Sequence, residues 1–97
     1  MGEAMSEGVK DRAPRLAPGC RLGIGEGQED LLLIPEGALR LKGPARAIVE
    51  LCDGERTLCE ILEELTRRYP SDDATRIETE VIALLGRLRD RGALEFV

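Results

Sequence analysis

The spacing of apolar side chains changes rhythm twice along the chain. From Cys20 the order Cys20, Arg21, Leu22, Gly23, Ile24 alternates, and Gly25, Glu26 and Gly27 then break it. A period of two marks a half-buried strand, and the glycines mark a turn. Residues 31–34 are an unbroken apolar run, Leu31, Leu32, Leu33 and Ile34, closed by Pro35, Glu36 and Gly37. Such a run suits a strand covered on both faces, and Pro-Glu-Gly suits a tight turn. Alternation resumes at Ala38, Leu39, Arg40, Leu41 and Lys42, which puts Leu39 and Leu41 on one face and Arg40 and Lys42 on the other. The pattern predicts a three-stranded antiparallel meander over residues 20–42.

After Gly43 the period becomes helical. Pro44 suits the first turn of a helix, and Ala45, Ile48, Val49 and Cys52 recur at helical intervals up to the stop at Asp53 and Gly54. Thr57 followed by Glu60 forms a capping box ahead of a second apolar stripe, Leu58, Ile61, Leu62 and Leu65, which ends before Pro70. Ser71, Asp72 and Asp73 favour a third helix start, because carboxylates stabilise the positive end of the helix dipole. Ile77, Val81, Leu84, Leu85 and Leu88 fall at i, i+4, i+7, i+8 and i+11, and Arg87, Arg89 and Arg91 precede the stop at Gly92. Leu94 and Phe96 then alternate in a short last strand, expected to pair with the hairpin or with another subunit. The expected fold is α+β: an N-terminal three-stranded antiparallel sheet, three helices and a short C-terminal strand, with helices two and three close enough to be helix-turn-helix-like.

Residues 1–17 show no periodicity and are expected to form a disordered or loosely docked tail, leaving residues 18–97 as one domain. At 97 residues such a domain has little room to enclose an active site, so a binding surface is the better expectation. Fourteen lysines and arginines against nineteen acids give a formal charge of -5, the wrong sign for binding nucleic acid through its phosphates. The chain has no histidine, which removes the commonest general base and a common zinc ligand, and nothing at a recognisable spacing nominates a nucleophile with its base. Cys20, Cys52 and Cys59 make no C-x-x-C spacing, and no apolar run is long enough for a signal peptide or a membrane span. A cytoplasmic protein with reduced thiols and no membrane association is expected, with Cys52 and Cys59 as small buried hydrophobes. Gly23, Gly25 and Gly27 lack the following helix start that a phosphate loop requires.

Three short motifs in a fixed order carry a resemblance: Leu32, Leu33, Ile34, Pro35, Glu36, Gly37 in the hairpin; Leu51, Cys52, Asp53, Gly54, Glu55, Arg56, Thr57 between helices; and Arg89, Asp90, Arg91, Gly92 closing helix three. In these the chain, over residues 14–97, resembles the PqqD family of pyrroloquinoline quinone (PQQ) biosynthesis. It departs at Ile24, where the family has an aromatic residue, and at Lys42, Gly43, Pro44 and Ala45, which replace a side-chain-capped helix start. The resemblance implies a winged helix-turn-helix-like fold without DNA binding, and a peptide chaperone rather than an enzyme. The family member binds the precursor peptide PqqA and presents it to PqqE, a radical S-adenosylmethionine enzyme. It needs no metal or cofactor of its own.

By the same resemblance the peptide adds as a strand to the edge formed by Ala38, Leu39, Arg40, Leu41 and Lys42, in a cleft beside Ile77, Val81, Leu84, Leu85 and Leu88. An unpaired strand edge supplies backbone partners to any extended peptide, and apolar helix side chains supply pockets. Two blander expectations stand beside this one: edge charges such as Arg40 and Lys42 deter aggregation, and most of the helix residues must serve the core. A leader-recognition domain of another ribosomal peptide pathway is the nearest alternative. A transcriptional regulator reading DNA with helix three is more distant, since residues 72–91 hold more acids than arginines. An exposed strand edge also leaves a homodimer open.

Overall fold

The computed structural model describes residues 9–97. A single 3-10 turn at Val9–Asp11 leads into β1 (Pro14–Leu16), β2 (Arg21–Ile24), β3 (Asp30–Ile34) and β4 (Gly37–Leu41). Three helices follow, α1 (Ala45–Glu50), α2 (Leu58–Arg68) and α3 (Ala74–Asp90), and β5 (Leu94–Phe96) closes the chain. The strands form two antiparallel sheets, one in the order β2-β3-β4 and a two-stranded one of β1 and β5. The expected meander, three helices and last strand are all present.

Part of the segment expected as a tail is built into the fold. Pro14–Leu16 pairs with β5, with Arg15 opposite Glu95, and within the chain β5 therefore takes β1 rather than the hairpin as its partner. Val97 N–H donates to the carbonyl of Ala13 at 2.8 Å, which makes Pro14 and Phe96 a non-bonded pair. The N–H that proline lacks is therefore not missed there. The other side of β1 is held by Gly54 N–H to Pro14 O at 2.9 Å and Leu58 N–H to Arg12 O at 3.0 Å. Nothing in three residues that begin with a proline announces such a strand, because its reason to exist is the pairing. Residues 1–8 of the expected tail lie outside the described residues.

The helices start and stop as their residues dictate. Glu60 N–H donates to Thr57 Oγ1 at 3.2 Å and Thr57 N–H to Glu60 Oε1 at 2.9 Å, completing the capping box of α2. Asp73, rather than Ser71, caps α3, accepting from Thr75 N–H at 2.7 Å. At the far end Gly92 takes φ +75, so that its own N–H reaches Arg89 O and Ala93 N–H reaches Leu88 O, both at 2.9 Å. This left-handed stop turns the chain directly into β5. Helix α1 has no side-chain cap and is held sideways instead: Arg46 bonds Asp30 Oδ1 at 3.2 Å and Glu50 Oε2 at 3.1 Å, tying α1 to β3.

One apolar cluster joins these elements. Leu32 of β3, Leu58, Ile61 and Leu65 of α2, and Val81 and Leu85 of α3 are nearly or fully buried, and no polar side chain is buried among the described residues. The core is held chiefly by transfer energy, with the weak bond from the Cys52 thiol to the Ile48 carbonyl as a buried side-chain hydrogen bond within it. It fixes α3 across the same face of the β2-β3-β4 sheet that Leu32, Leu39 and Leu41 present.

Candidate functional site

The phase of the sheet ladder decides which backbone groups are free. Gly25 N–H donates to Glu29 O at 2.8 Å just beyond the paired residues of β2 and β3. Bonded and non-bonded pairs alternate in an antiparallel ladder, so Gly23 with Leu31 and Arg21 with Leu33 are the bonded pairs. Leu31 and Leu33 thus direct their backbone groups toward β2. Asp30, Leu32 and Ile34 direct theirs toward β4, opposite Leu41, Leu39 and Gly37. What remains is that Ala38 and Arg40 turn both N–H and C=O away from the sheet, and β4 has no further strand beside it among the described residues.

Beside this edge lies α3, and a trough runs between them. Its first depression, about 360 Å³, is walled by Leu39, Arg40 and Leu41 on one side and Leu84, Arg87, Leu88 and Arg91 on the other. The second, about 350 Å³, shares Leu84 and Arg87 with the first and continues past Lys42, Gly43 and Pro44 to Ala83 and Glu80. A third, about 300 Å³, shares Pro44 and Glu80 with the second and ends in an apolar corner of Ile77, Val81, Leu65 and Tyr69. Gly43, at φ +59, turns the chain from β4 into α1 at the middle of the trough.

Of the residues singled out from the sequence, Leu39, Arg40, Leu41, Leu84 and Leu88 meet in the first depression, Lys42 lines the second, and Ile77 and Val81 line the third. Leu85 is fully buried and lines none of them, so its place is in the core. Ala38 lines none either and is exposed near the hairpin turn, where only its backbone is aimed along the edge. Sequence reasoning missed Arg87, Arg91, Ala83, Glu80, Pro44 and Tyr69. The signal for four of them was available: positions 80, 83, 87 and 91 form a row at helical spacing that flanks the apolar stripe of α3.

The cysteines stand apart from the trough. Cys52 is buried, its Sγ 3.3 Å from Ile48 O, and burial pushes its thiol up to about 12. Cys59 is exposed, because it lies one residue past Leu58 and faces away from the apolar stripe of α2; this corrects the expectation that it is buried. Asp53 organises the turn between α1 and α2, accepting from the backbone N–H of Arg56 and Glu55, each at 2.9 Å, and those bonds hold its carboxyl below the usual range. The middle motif of the resemblance is therefore a scaffold for α2 rather than a wall of the trough.

The family profile described as coenzyme PQQ synthesis protein D (PqqD) matches residues 29–94, more than half of the chain. The chain belongs to the PqqD family. A PqqA binding protein from Methylococcus capsulatus is 37% identical over 84% of this chain and 86% of its own length. Another from Azotobacter vinelandii is 35% identical over 94% of this chain and 98% of its own. In three dimensions the chain is similar to the solution structure of the PqqD truncation of Methylobacterium extorquens PqqCD, described as a functional, stand-alone recognition element for ribosomally synthesised and post-translationally modified peptides. The TM-score is 0.75 at 32% identity, covering 96% of this chain and 98% of that one. The matched PqqD region spans β3, β4 and all three helices, and so contains the whole trough.

Proposed function

We propose that this PqqD-family protein binds the precursor peptide PqqA as an added strand on β4 and presents it to the radical S-adenosylmethionine enzyme PqqE, itself catalysing nothing. The supporting observation is the outward backbone of Ala38 and Arg40 beside the α3 trough. An extended peptide satisfies those N–H and C=O groups with no rearrangement of the domain.

Magnitudes assign roles to edge and trough. The edge offers four outward groups, each worth about 1 kcal/mol net when bonded, so about 4 kcal/mol in all. Association itself costs roughly 4–15 kcal/mol. The backbone ladder therefore sets register, and net affinity requires side chains seated in the trough, where a buried Leu-sized group adds about 1.5–3 kcal/mol. Leu39, Leu41, Leu84 and Leu88 would receive side chains nearest the edge, with Ile77 and Val81 receiving one further along.

Calorimetry with synthetic PqqA, an unrelated leader peptide as control, and PqqE added to the complex tests the proposal. PqqA alone is expected to bind, with the negative heat-capacity change of apolar burial, and PqqE to join without displacing it. Equal binding of both peptides, or of neither, would overturn it. Expulsion of the peptide by PqqE would overturn presentation while leaving PqqA binding intact.

A further inference from the structure

The cations of this acidic protein are unevenly employed. Most are bonded to a neighbour: Arg56 to Asp53 at 2.8 Å, Arg68 to Glu64 at 3.0 Å and Lys10 to Glu78 at 2.7 Å are examples. Five side chains, those of Arg21, Arg40, Lys42, Arg87 and Arg91, have neither a hydrogen bond nor an ion pair with any described residue. Four of the five line the two depressions next to β4. The carboxylates in the same lining are turned elsewhere, Glu80 to Arg76 at 3.2 Å and Asp90 to Arg89 at 4.0 Å, and neither of those arginines lines the trough.

General habits of protein surfaces account for only part of this. Charge on an edge strand deters aggregation, which covers Arg40 and Lys42. Cations near the end of a helix favour its dipole, which covers Arg87 and Arg91 from any face. Neither habit brings both pairs to one groove while the groove's own acids pair outside it. We propose that the segment captured on β4 is an acidic one, its carboxylates held by Arg40, Lys42, Arg87 and Arg91. The inference rests on the strand-addition reading above and adds the chemistry of the peptide to it. An extended peptide is favoured over a nucleic acid because the outward backbone of Ala38 and Arg40 is complementary to a peptide backbone, and because the chain carries a net charge of -5. The apolar corner by Tyr69 and Ile77, which no lysine or arginine among the described residues lines, gives the site a direction: acidic residues by the edge, a bulky apolar side chain at the far end.

The test uses the full chain, fluorescence anisotropy and two probes, labelled PqqA and PqqA with every Asp and Glu changed to Asn and Gln. Wild type is expected to bind the amidated peptide about fivefold more weakly, and to lose a similar factor for PqqA between about 50 and 500 mM salt, as exposed ion pairs do. The double variant Arg87→Gln, Arg91→Gln is expected to bind PqqA about fivefold more weakly and to lose most of the distinction between the probes. Arg21→Gln, which removes the free cation outside the trough, is expected to behave as wild type. If PqqA binds but amidation, salt and the double variant all leave its affinity unchanged, the acidic-segment inference falls and strand addition stands. If PqqA does not bind wild type at all, both fall. Displacement of PqqA by short RNA or duplex DNA from wild type, but not from the double variant, would assign the cations to phosphates and overturn the inference.

Discussion

Replacing Ala38 by proline removes a single N–H, and the ladder phase says that this N–H serves no bond within the domain. Ala38 faces Leu33 in a non-bonded pair, its side chain is exposed, and the residue before it is Gly37, which has no Cβ to clash with a following proline ring. Proline is tolerated at such edge positions, so Ala38→Pro is expected to change folding stability by less than about 1 kcal/mol. Leu39→Pro, one residue on, deletes a ladder bond to Leu32 and a half-buried side chain packed against the core, and is expected to cost about 3 kcal/mol or more. For the bound peptide the order reverses. Ala38→Pro deletes one N–H···O=C bond to the added strand, worth about 1 kcal/mol, or roughly a fivefold rise in Kd. Arg40→Pro should match it once Arg40→Ala has accounted for the lost guanidinium. Ile24→Pro is the control, since Ile24 is 60% exposed and turns its N–H outward on β2, the opposite edge of the same sheet. Thermal melts followed by titration of labelled PqqA provide the assay. If Ile24→Pro weakens binding as much as Ala38→Pro, or if Ala38→Pro binds as wild type, strand addition at β4 is refuted.

Two further outcomes follow from the scaffold. Leu84→Ala and Leu85→Ala sit side by side on α3 but should separate. Leu85→Ala is expected to lose about 3 kcal/mol from a fully buried site while the folded fraction binds PqqA normally; Leu84→Ala, whose vacancy opens to the trough, is expected to lose less stability and more affinity, as read by urea denaturation and titration. Asp53→Ala removes the acceptor of two backbone N–H groups, and with its carboxylate 39% exposed the loss is expected to be about 1 kcal/mol, or 4–8 °C in Tm. Because its pKa is held down in the folded state, the stabilisation is present above the unfolded carboxyl value near 4 and disappears as pH falls through the lower folded value, so the two melting curves should converge in acid. A constant Tm gap down to pH 2 would show that the charge of Asp53 is not what holds the turn.

Periodicity was enough for every helix and for the meander, because each of those elements buries one face and one face leaves a repeat of two or of 3.6 residues. Caps and stops were equally local: Thr57 with Glu60, the acid at Asp73 and the left-handed Gly92 satisfy backbone groups within a turn of themselves. Tertiary structure decided what such repeats do not encode. Pro14–Leu16 is a strand only because β5 and the turn at Asp53 lie on either side of it. Leu84 and Leu85 share one apolar stripe, and only the placement of β4 makes one a wall of the trough and the other interior. Arg87 and Arg91 read as ordinary cations near a helix end until Arg40 and Lys42 arrive across the groove from residues far away in sequence. A repeat reports which side of an element is dry, whereas the neighbour on that side, and which backbone groups of an edge are left unpaired, are fixed by contacts between distant segments.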